Sequence, residues 1–327
     1  MSTVYVFGAG ASCAESAPSI ANFMGKAFTL LNQSEDPEIK QTWKFLQDYF
    51  DKDPRSYDEA IRAYPQIDEI VTLIDYAINN NLSVSATHSS QRFYELRRGL
   101  INFISQTIAG SISSDAKPHK NFIEEIKKKR GTINIISLNY DTLLDEAIIN
   151  SYPSGGIDKI DYGFEGGDRD ESRKFKLLKL HGSLNWAHCP FCQNIRVVDK
   201  PIAHELYKEI DVPCNVCKGH YAEPVMITPT LLKSYNIPKL NNVWLAASDV
   251  ISMARKIVFV GYSLASADYP IIDLMKRAIS QKNQLKEIII IGIKNDIDQV
   301  CERYYKIFGD RVQIKSDSTG FRGQSYW

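Results

Sequence analysis

The first apolar run of the chain, "TVYVFGAG", is short, β-branched and aromatic, and it closes on glycines. That pattern predicts a buried strand entering a tight turn. In "SIANFMGKAFTLL", Ile20, Phe23, Met24, Ala27 and Leu31 recur at helical spacing and share one face. Strand, glycine turn and helix together read as the opening of a nucleotide-binding α/β unit. Between residues 36 and 128 the period changes, and "PEIKQTWKFLQDYF", "IDEIVTLIDYAINN" and "SSQRFYELRRGLINFISQTIAGSI" are all helical in spacing. In the last, Phe93, Leu96, Leu100, Phe103, Ile104 and Ile108 form an apolar stripe of the kind that packs a core.

Strand and helix then alternate. "TINIISLNYDTLLDEAIINS" predicts a strand over 132–137, a turn and a helix. "FKLLKLHG", "PVMITPT", "KIVFVGYS", "LKEIIIIGI" and "RVQIK" read as strands. "KLNNVWLAASDVISMA", "PIIDLMKRAIS" and "DIDQVCERYYKIFG" read as helices. Apolar strands separated by amphipathic helices predict a parallel sheet covered on both faces. The final "SDSTGFRGQSYW" has no period and suits either a loose tail or a docking segment. The expected division is a Rossmann-like α/β domain in three pieces, 1–35, 129–187 and 223–327. It is interrupted by a helical insertion over 36–128 and a small cysteine module over 188–222.

Composition narrows the function classes. Lys and Arg total 39 and Asp and Glu total 39 in 327 residues, so the formal charge is zero. A neutral chain is poorly suited to binding a phosphate backbone, and no direct nucleic-acid binding is expected. The basic run "IKKKR" at 126–130 reads as a solvated helix face. No run approaches the roughly 18 apolar residues of a membrane helix, and the first residues do not resemble a secretory signal. A soluble, cytoplasmic protein is expected. Of six cysteines, Cys13 and Cys301 stand alone and four form two CxxC pairs, which in such a compartment point to metal before disulfides.

The candidate chemistry collects at strand ends. In the turn of Gly8, Ala9, Gly10, Ala11 and Ser12, glycines allow close backbone approach to a phosphate, and amides at the following helix start supply donors. A dinucleotide fingerprint would place a third glycine at position 13, where this chain has Cys13. Asn139 and Asp141 lie in the loop after the second strand, where open α/β sheets bind ligands; Asp141 could equally cap the next helix. His181 follows another strand and should reach the same edge. Gly261 and Ser263 end a further strand and could meet a phosphate or a ribose hydroxyl; Gly292 and Asn295 end the next. Cys189, Cys192, Cys214 and Cys217 have the spacing of a tetrahedral four-thiolate zinc site, whose filled coordination sphere makes it structural.

In this order the motifs resemble the sirtuin family: a GAGxS turn at Gly8 to Ser12, an Asn-x-Asp loop at Asn139 and Asp141, and a His-Gly pair at His181 and Gly182. Two zinc-binding CxxC pairs, a Gly-x-Ser turn at Gly261 and Ser263, and a late strand end near Gly292 and Asn295 follow. The resemblance implies a sirtuin-like Rossmann sheet with a zinc module, and NAD as substrate. It implies Asn139 and His181 as catalytic residues, with the glycine turn, Asp141, Gly261, Ser263 and Asn295 holding the dinucleotide. The Asp-Phe-Arg element of the family's protein deacylases is absent; Ser19, Ile20 and Ala21 stand in its place. The chain looks more like the sirtuin-like branch of bacterial anti-phage systems, whose members hydrolyse NAD. That implies an NAD glycohydrolase working with a regulatory protein partner, with homo-oligomers possible. A deacylase and a non-catalytic NAD or ADP-ribose sensor remain the alternatives. His181, with a free imidazole pKa of about 6.5, would serve as general base. Asn139 would orient water or a ribose hydroxyl through an amide able to donate and accept.

Overall fold

The computed structural model describes residues 2–82, 90–113, 117–152, 156–165, 173–198, 213–221, 223–230, 237–265, 268–309 and 312–326. The strands are β1 (Thr3–Phe7), β2 (Ile133–Ser137), β3 (Ile160–Asp161), β4 (Phe175–Lys179), β5 (Gly182–His188), β6 (Ile195–Val197), β7 (Glu223–Met226), β8 (Lys256–Val260), β9 (Glu287–Ile291) and β10 (Gln313–Asp317). The helices are α1 (Ala9–Cys13), α2 (Phe23–Leu31), α3 (Pro37–Phe50), α4 (Tyr57–Ala63), α5 (Ile67–Asn79), α6 (Ser90–Ser111), α7 (Lys117–Ile126), α8 (Leu143–Asn150), α9 (Pro238–Ser252), α10 (Tyr269–Lys282) and α11 (Ile297–Phe308). They fall into two compact units, one of residues 1–16, 113–183 and 236–327, the other of 17–112 and 184–235.

The first unit is built on a seven-stranded sheet of order β10-β9-β8-β1-β2-β4-β3, all of its pairs parallel. The inner strands β1, β8 and β9 are apolar along their length because both faces are covered, whereas the edge strand β10 is polar and largely exposed. Tyr5 and Phe7 meet Phe122 of α7, with ring centroids 5.1 and 5.0 Å apart. Phe259 is in register with Val6, so it points to the other face, and there it meets Tyr304 of α11 at 4.8 Å. From β1 the chain builds outward to β2 and β4, then returns to add β8, β9 and β10 on the other side. The order therefore reverses between β1 and β8, the place where open sheets leave a crevice at their carboxyl ends. The register brings those ends level: Phe7 stands beside Ser137 and Val260, and Ser137 beside Lys179.

The second unit carries the helices α2 to α6. Asp36 caps α3 by accepting from the amides of Glu38 and Ile39, with Pro37 at the first helical position. Ser56 caps α4 in the same way. The stripe read in α6 is buried at Phe93, Leu96, Leu100, Phe103 and Ile104, and Phe103 meets Trp43 of α3 edge to face at 5.1 Å. This unit also holds the three-stranded sheet β6-β5-β7, apart from the first two residues of β5.

Several elements differ from their sequence reading. The helix directly after the glycine turn is the five-residue α1; the apolar helix expected from residue 19 starts as α2 at Phe23, in the second unit, and Ile20 is 47% exposed. "PVMITPT" forms β7 beside β5 and not a strand of the parallel sheet. "IKKKR" is not a helix face: α7 ends at Ile126, and turn bonds from Lys127 to Ile123 and from Lys129 to Ile126 follow. Burial, then the charges of Lys256 and Lys174, hold the Lys129 ammonium below its usual range. Residues 199–212 of the expected cysteine module and 266–267 of "VGYSLASAD" lie outside the described residues. Among the described residues, no helix is long and apolar enough to cross a membrane.

The unperiodic tail is docked on the first unit. Phe321 is buried against Phe7, His119 and Phe122, and Ser325 donates to Glu125. Asp317 latches it: its carboxylate accepts from the Thr319 amide and hydroxyl, from Gln324 Nε2 and from the Tyr326 hydroxyl. Burial alone would raise this carboxyl; the four donors outweigh it and hold the pKa down at about 2. A free aspartate titrates near about 3.9, so the latch contributes fully above about pH 4 and is lost as pH falls toward about 2. Phe321 ring resonances should move toward free-chain positions across that window. Asp317→Asn should loosen the tail already at neutral pH, read as faster carboxypeptidase trimming.

Candidate active site at the carboxyl edge of the sheet

Three loops begin at the level set by Phe7, Ser137 and Lys179. The first is the glycine turn, and its geometry is a matter of backbone meeting backbone. Gly261, at the end of β8, has φ +60 and lies so close to the turn that a Cβ there would sit 2.1 Å from the Ala11 nitrogen. A Cβ on Gly8 would come 2.8 Å from the Gly261 carbonyl oxygen. The amides follow from this contact: Gly8 N–H donates to the Val260 carbonyl at 2.9 Å, Gly10 N–H to that of Gly261 at 2.9 Å, and Ala11 N–H to that of Gly8 at 3.0 Å. Three amides expected to face a phosphate are thus engaged within the protein. Ala9 and Gly10 are exposed on the outer side of the turn, while Ala11 and Ser12 are buried.

The second loop carries Asn139 and Asp141, both buried. Asn139 Nδ2 donates to the Gly8 carbonyl at 2.9 Å and to Ser12 Oγ at 2.8 Å, and Ser12 Oγ donates to Asp141 Oδ2 at 2.6 Å. The chain has one direction, because the carbonyl and the carboxylate can only accept. Both amide hydrogens of Asn139 are therefore committed, and the atom it has left for a bound molecule is the acceptor Oδ1. The expectation of an amide that donates and accepts is narrowed to accepting. Asp141 both closes this chain and caps: its Oδ1 accepts from the Leu143 amide at 3.2 Å at the start of α8.

The third loop carries His181. What reads in sequence as a strand giving way to a Gly-Ser turn is a two-residue turn between strands: β4 ends at Lys179, and β5 starts at Gly182, where φ is +81. His181 is buried, and its Nδ1 lies 3.0 Å from the carbonyl of Leu138, the residue before Asn139. A carbonyl can only accept, so Nδ1 carries the proton and Nε2 of the neutral ring is an acceptor. The Tyr140 ring lies 6.2 Å from the imidazole, and Trp244 Nε1 donates to the Leu180 carbonyl at 3.0 Å.

Beneath the second and third loops is a group the sequence reading passed over. Lys179 is fully buried and donates to the Asp141 carbonyl at 2.6 Å, to Asp145 Oδ2 at 2.9 Å and to Ser183 Oγ. The other oxygen of Asp145 accepts from the Tyr162 hydroxyl at 2.7 Å. The only sequence signal for it is a lysine at an inward position of an apolar strand, one rung before the histidine turn. Nearby, Glu146 is held above its usual range, chiefly by burial and further by the charges of Asp145 and Asp141, against the Thr142 hydrogen bond and Lys179. Of the remaining expected residues, Ser263 and Asn295 are exposed at the ends of β8 and β9.

In the second unit, Cys189, Cys192, Cys214 and Cys217 gather with their sulfurs all within 4.8 Å of one another. Cys189 and Cys217 are 3.6 Å apart, as are Cys192 and Cys214. Tetrahedral zinc with bonds of about 2.3 Å to sulfur has sulfur–sulfur edges of about 3.8 Å, so the set fits such an ion. Burial pushes the Cys214 thiol up, but hydrogen bonds from the amides of Cys217 and Val216, from Cys192 and from Tyr221 bring it down to about 6. Cys192, against the Asn194 amide, is pushed up to about 12 by burial and the three neighbouring sulfurs, so the cluster shares its protons unevenly.

A family model described as a SIR2-like domain matches residues 133–312. No curated protein matches the chain. Among solved structures, a Sir2 homolog–NAD complex is similar at 14% identity, covering 98% of this chain and 84% of that one, with a TM-score of 0.45. A Sir2 enzyme bound to acetylated peptide is similar at 14% identity, with 96% and 86% covered and a TM-score of 0.42. A third, from work on the mechanism and regulation of Sir2 enzymes, has 17% identity, 88% and 79% covered, and a TM-score of 0.40.

The contact at Gly261 makes a firm prediction. Gly261→Ala should lower stability by about 3 kcal/mol or more, since the methyl has no room and the backbone is left-handed. Thermal or denaturant unfolding measures it; a native-like melting temperature would show that the two turns do not need this approach.

Proposed function

We propose, from the premise that this chain belongs to the SIR2-like domain family, that it is an NAD glycohydrolase. It would cleave the nicotinamide–ribose bond to give ADP-ribose and nicotinamide. The observation carrying this reading is the hydrogen-bond chain from Asn139 through Ser12 to Asp141, together with the Nδ1–H tautomer of His181. In this arrangement Asn139 Oδ1 and His181 Nε2 are acceptors on loops tied to one another, and the Asp141 carboxylate belongs to the same chain of bonds. Acceptors suit a partner that brings hydrogens, such as ribose hydroxyls and a water. A carboxylate suits a centre that develops positive charge.

The chemistry has those demands. As the C1′–N bond breaks, its electron pair goes to the pyridinium nitrogen, so nicotinamide leaves neutral and needs no general acid. The ribose carbon becomes oxocarbenium-like, and Asp141 favours that charge at short range. Water adds to C1′ and its proton passes to His181 Nε2, giving ADP-ribose and one released proton. Asn139 Oδ1 orients the water or a ribose hydroxyl. The dinucleotide phosphates lie along the exposed outer side of the turn, at Ala9 and Gly10, since the amides of Gly8, Gly10 and Ala11 are already paired. Gly261 shapes that turn, and Ser263 and Asn295 reach the ribose and adenosine side. The missing Asp-Phe-Arg element supports hydrolysis over deacylation. In this reading the chain is the NAD-depleting effector of an anti-phage system, acts in the cytoplasm with a regulatory partner, and can self-associate. The four cysteines hold one structural zinc.

Two measurements test this. The full-length chain with NAD should release nicotinamide and ADP-ribose, and His181→Ala or Asn139→Ala should lower the rate about 10²–10⁴-fold while the fold is kept. Turnover that requires an acylated peptide and yields O-acyl-ADP-ribose would make the chain a deacylase; NAD binding without turnover, with and without partner, would make it a sensor. For the metal, purified chain should contain one equivalent of zinc, and its removal or Cys192→Ser should lower the melting temperature. Metal-free protein with unchanged melting would overturn the assignment.

A further inference from the structure

Lysine is among the costliest side chains to bury, and Lys179 is buried to 1% exposure together with Asp145, also 1%. Such a pair persists only where its polar atoms find partners, and here the ammonium and both carboxylate oxygens do. The ammonium's three hydrogens go to Asp141 O, Asp145 Oδ2 and Ser183 Oγ, and the second oxygen of Asp145 takes the Tyr162 hydroxyl. Ser183 Oγ donates onward to the Tyr140 carbonyl at 3.3 Å. Two consecutive carbonyls of the Asn139 loop, those of Tyr140 and Asp141, are thus tied to the turn that carries His181, one directly and one through Ser183. The His181 ring is in turn tied to Leu138 of the same loop.

We propose that Lys179, with Asp145 as its counter-ion, is a positioning residue that fixes the Asn139 loop and the His181 turn in one arrangement. It does not touch the reacting atoms. It keeps the Leu138 carbonyl where the His181 Nδ1–H finds it, and so keeps Nε2 as the acceptor. The catalytic consequence rests on the NAD reading above; the geometric one does not.

The test labels the histidines of the full-length chain with ¹⁵N and assigns His181 by its loss in His181→Gln. The native ring should be predominantly the Nδ1–H tautomer. Lys179→Met combined with Asp145→Leu removes both buried charges and keeps the volume, a replacement that folded proteins often tolerate. In that variant the ring should drift toward the mixture of free histidine. NAD turnover should fall about 100-fold in kcat with KM little changed, the size expected from misplacing a reacting group. Ser183→Ala, which leaves the ion pair whole, should move both readouts the same way by less, and it decides the matter if the double variant does not fold. A folded variant with the native tautomer and native kcat overturns the proposal. A native chain that never cleaves NAD removes the hydrolase reading alone, and the tautomer comparison still decides the role of Lys179.

Discussion

The level at which the parallel strands end is the constraint from which the site follows. Phe7, Ser137 and Lys179 stand side by side on β1, β2 and β4, and Val260 continues the row on β8. Everything distinctive begins one or a few residues past that row: the glycine turn, the Asn139 loop, the His181 turn and Gly261. Parallel pairing allows no hairpin between these strands, so each loop comes from a separate crossover and all open on the same edge. A slip of one residue in any strand would turn its side chains to the opposite face and carry its loop out of reach of the others.

Hydrogen-bond accounting then decides what the edge can offer. Buried polar groups are costly unless paired, so each group here is committed to partners that fix its direction. Asn139 spends both hydrogens, Ser12 passes one on, Asp141 accepts, and His181 commits Nδ1. The result presents acceptors. The same economy explains the glycines: Gly8 and Gly261 are needed because two backbones touch and exchange N–H and carbonyl groups, whatever lies beyond them.

The second unit obeys simpler rules. Its helices are amphipathic, capped where Asp36 and Ser56 stand, and joined by aromatic contacts among Trp43, Phe103, Phe28 and Tyr64. Its four cysteines converge from two CxxC knuckles, a local geometry that spacing alone prescribes.

The sequence by itself determined the elements and the class. Short apolar, β-branched runs marked the sheet strands, period-3.6 stripes marked α3, α5, α6 and α9 to α11, and CxxC spacing marked the cysteine cluster. Those features are local, and each is written within a few residues. It also marked the strand ends at which Gly8, Asn139, His181 and Gly261 would stand. It could not reveal α4, too short to show a period, nor that the helix after residue 19 and the strand in "PVMITPT" belong outside the parallel sheet. Nor could it decide which hydrogens are committed, that Gly261 serves the glycine turn, that the tail docks through Phe321 and Asp317, or that a buried lysine underlies the histidine. Most of these are contacts between residues far apart along the chain: Lys179 meets Asp141 across 38 positions, and Ser12 meets Asp141 across 129. Only the packed sheet brings such partners together, because pairing a polar group is a property of the space it occupies and not of its neighbours in sequence.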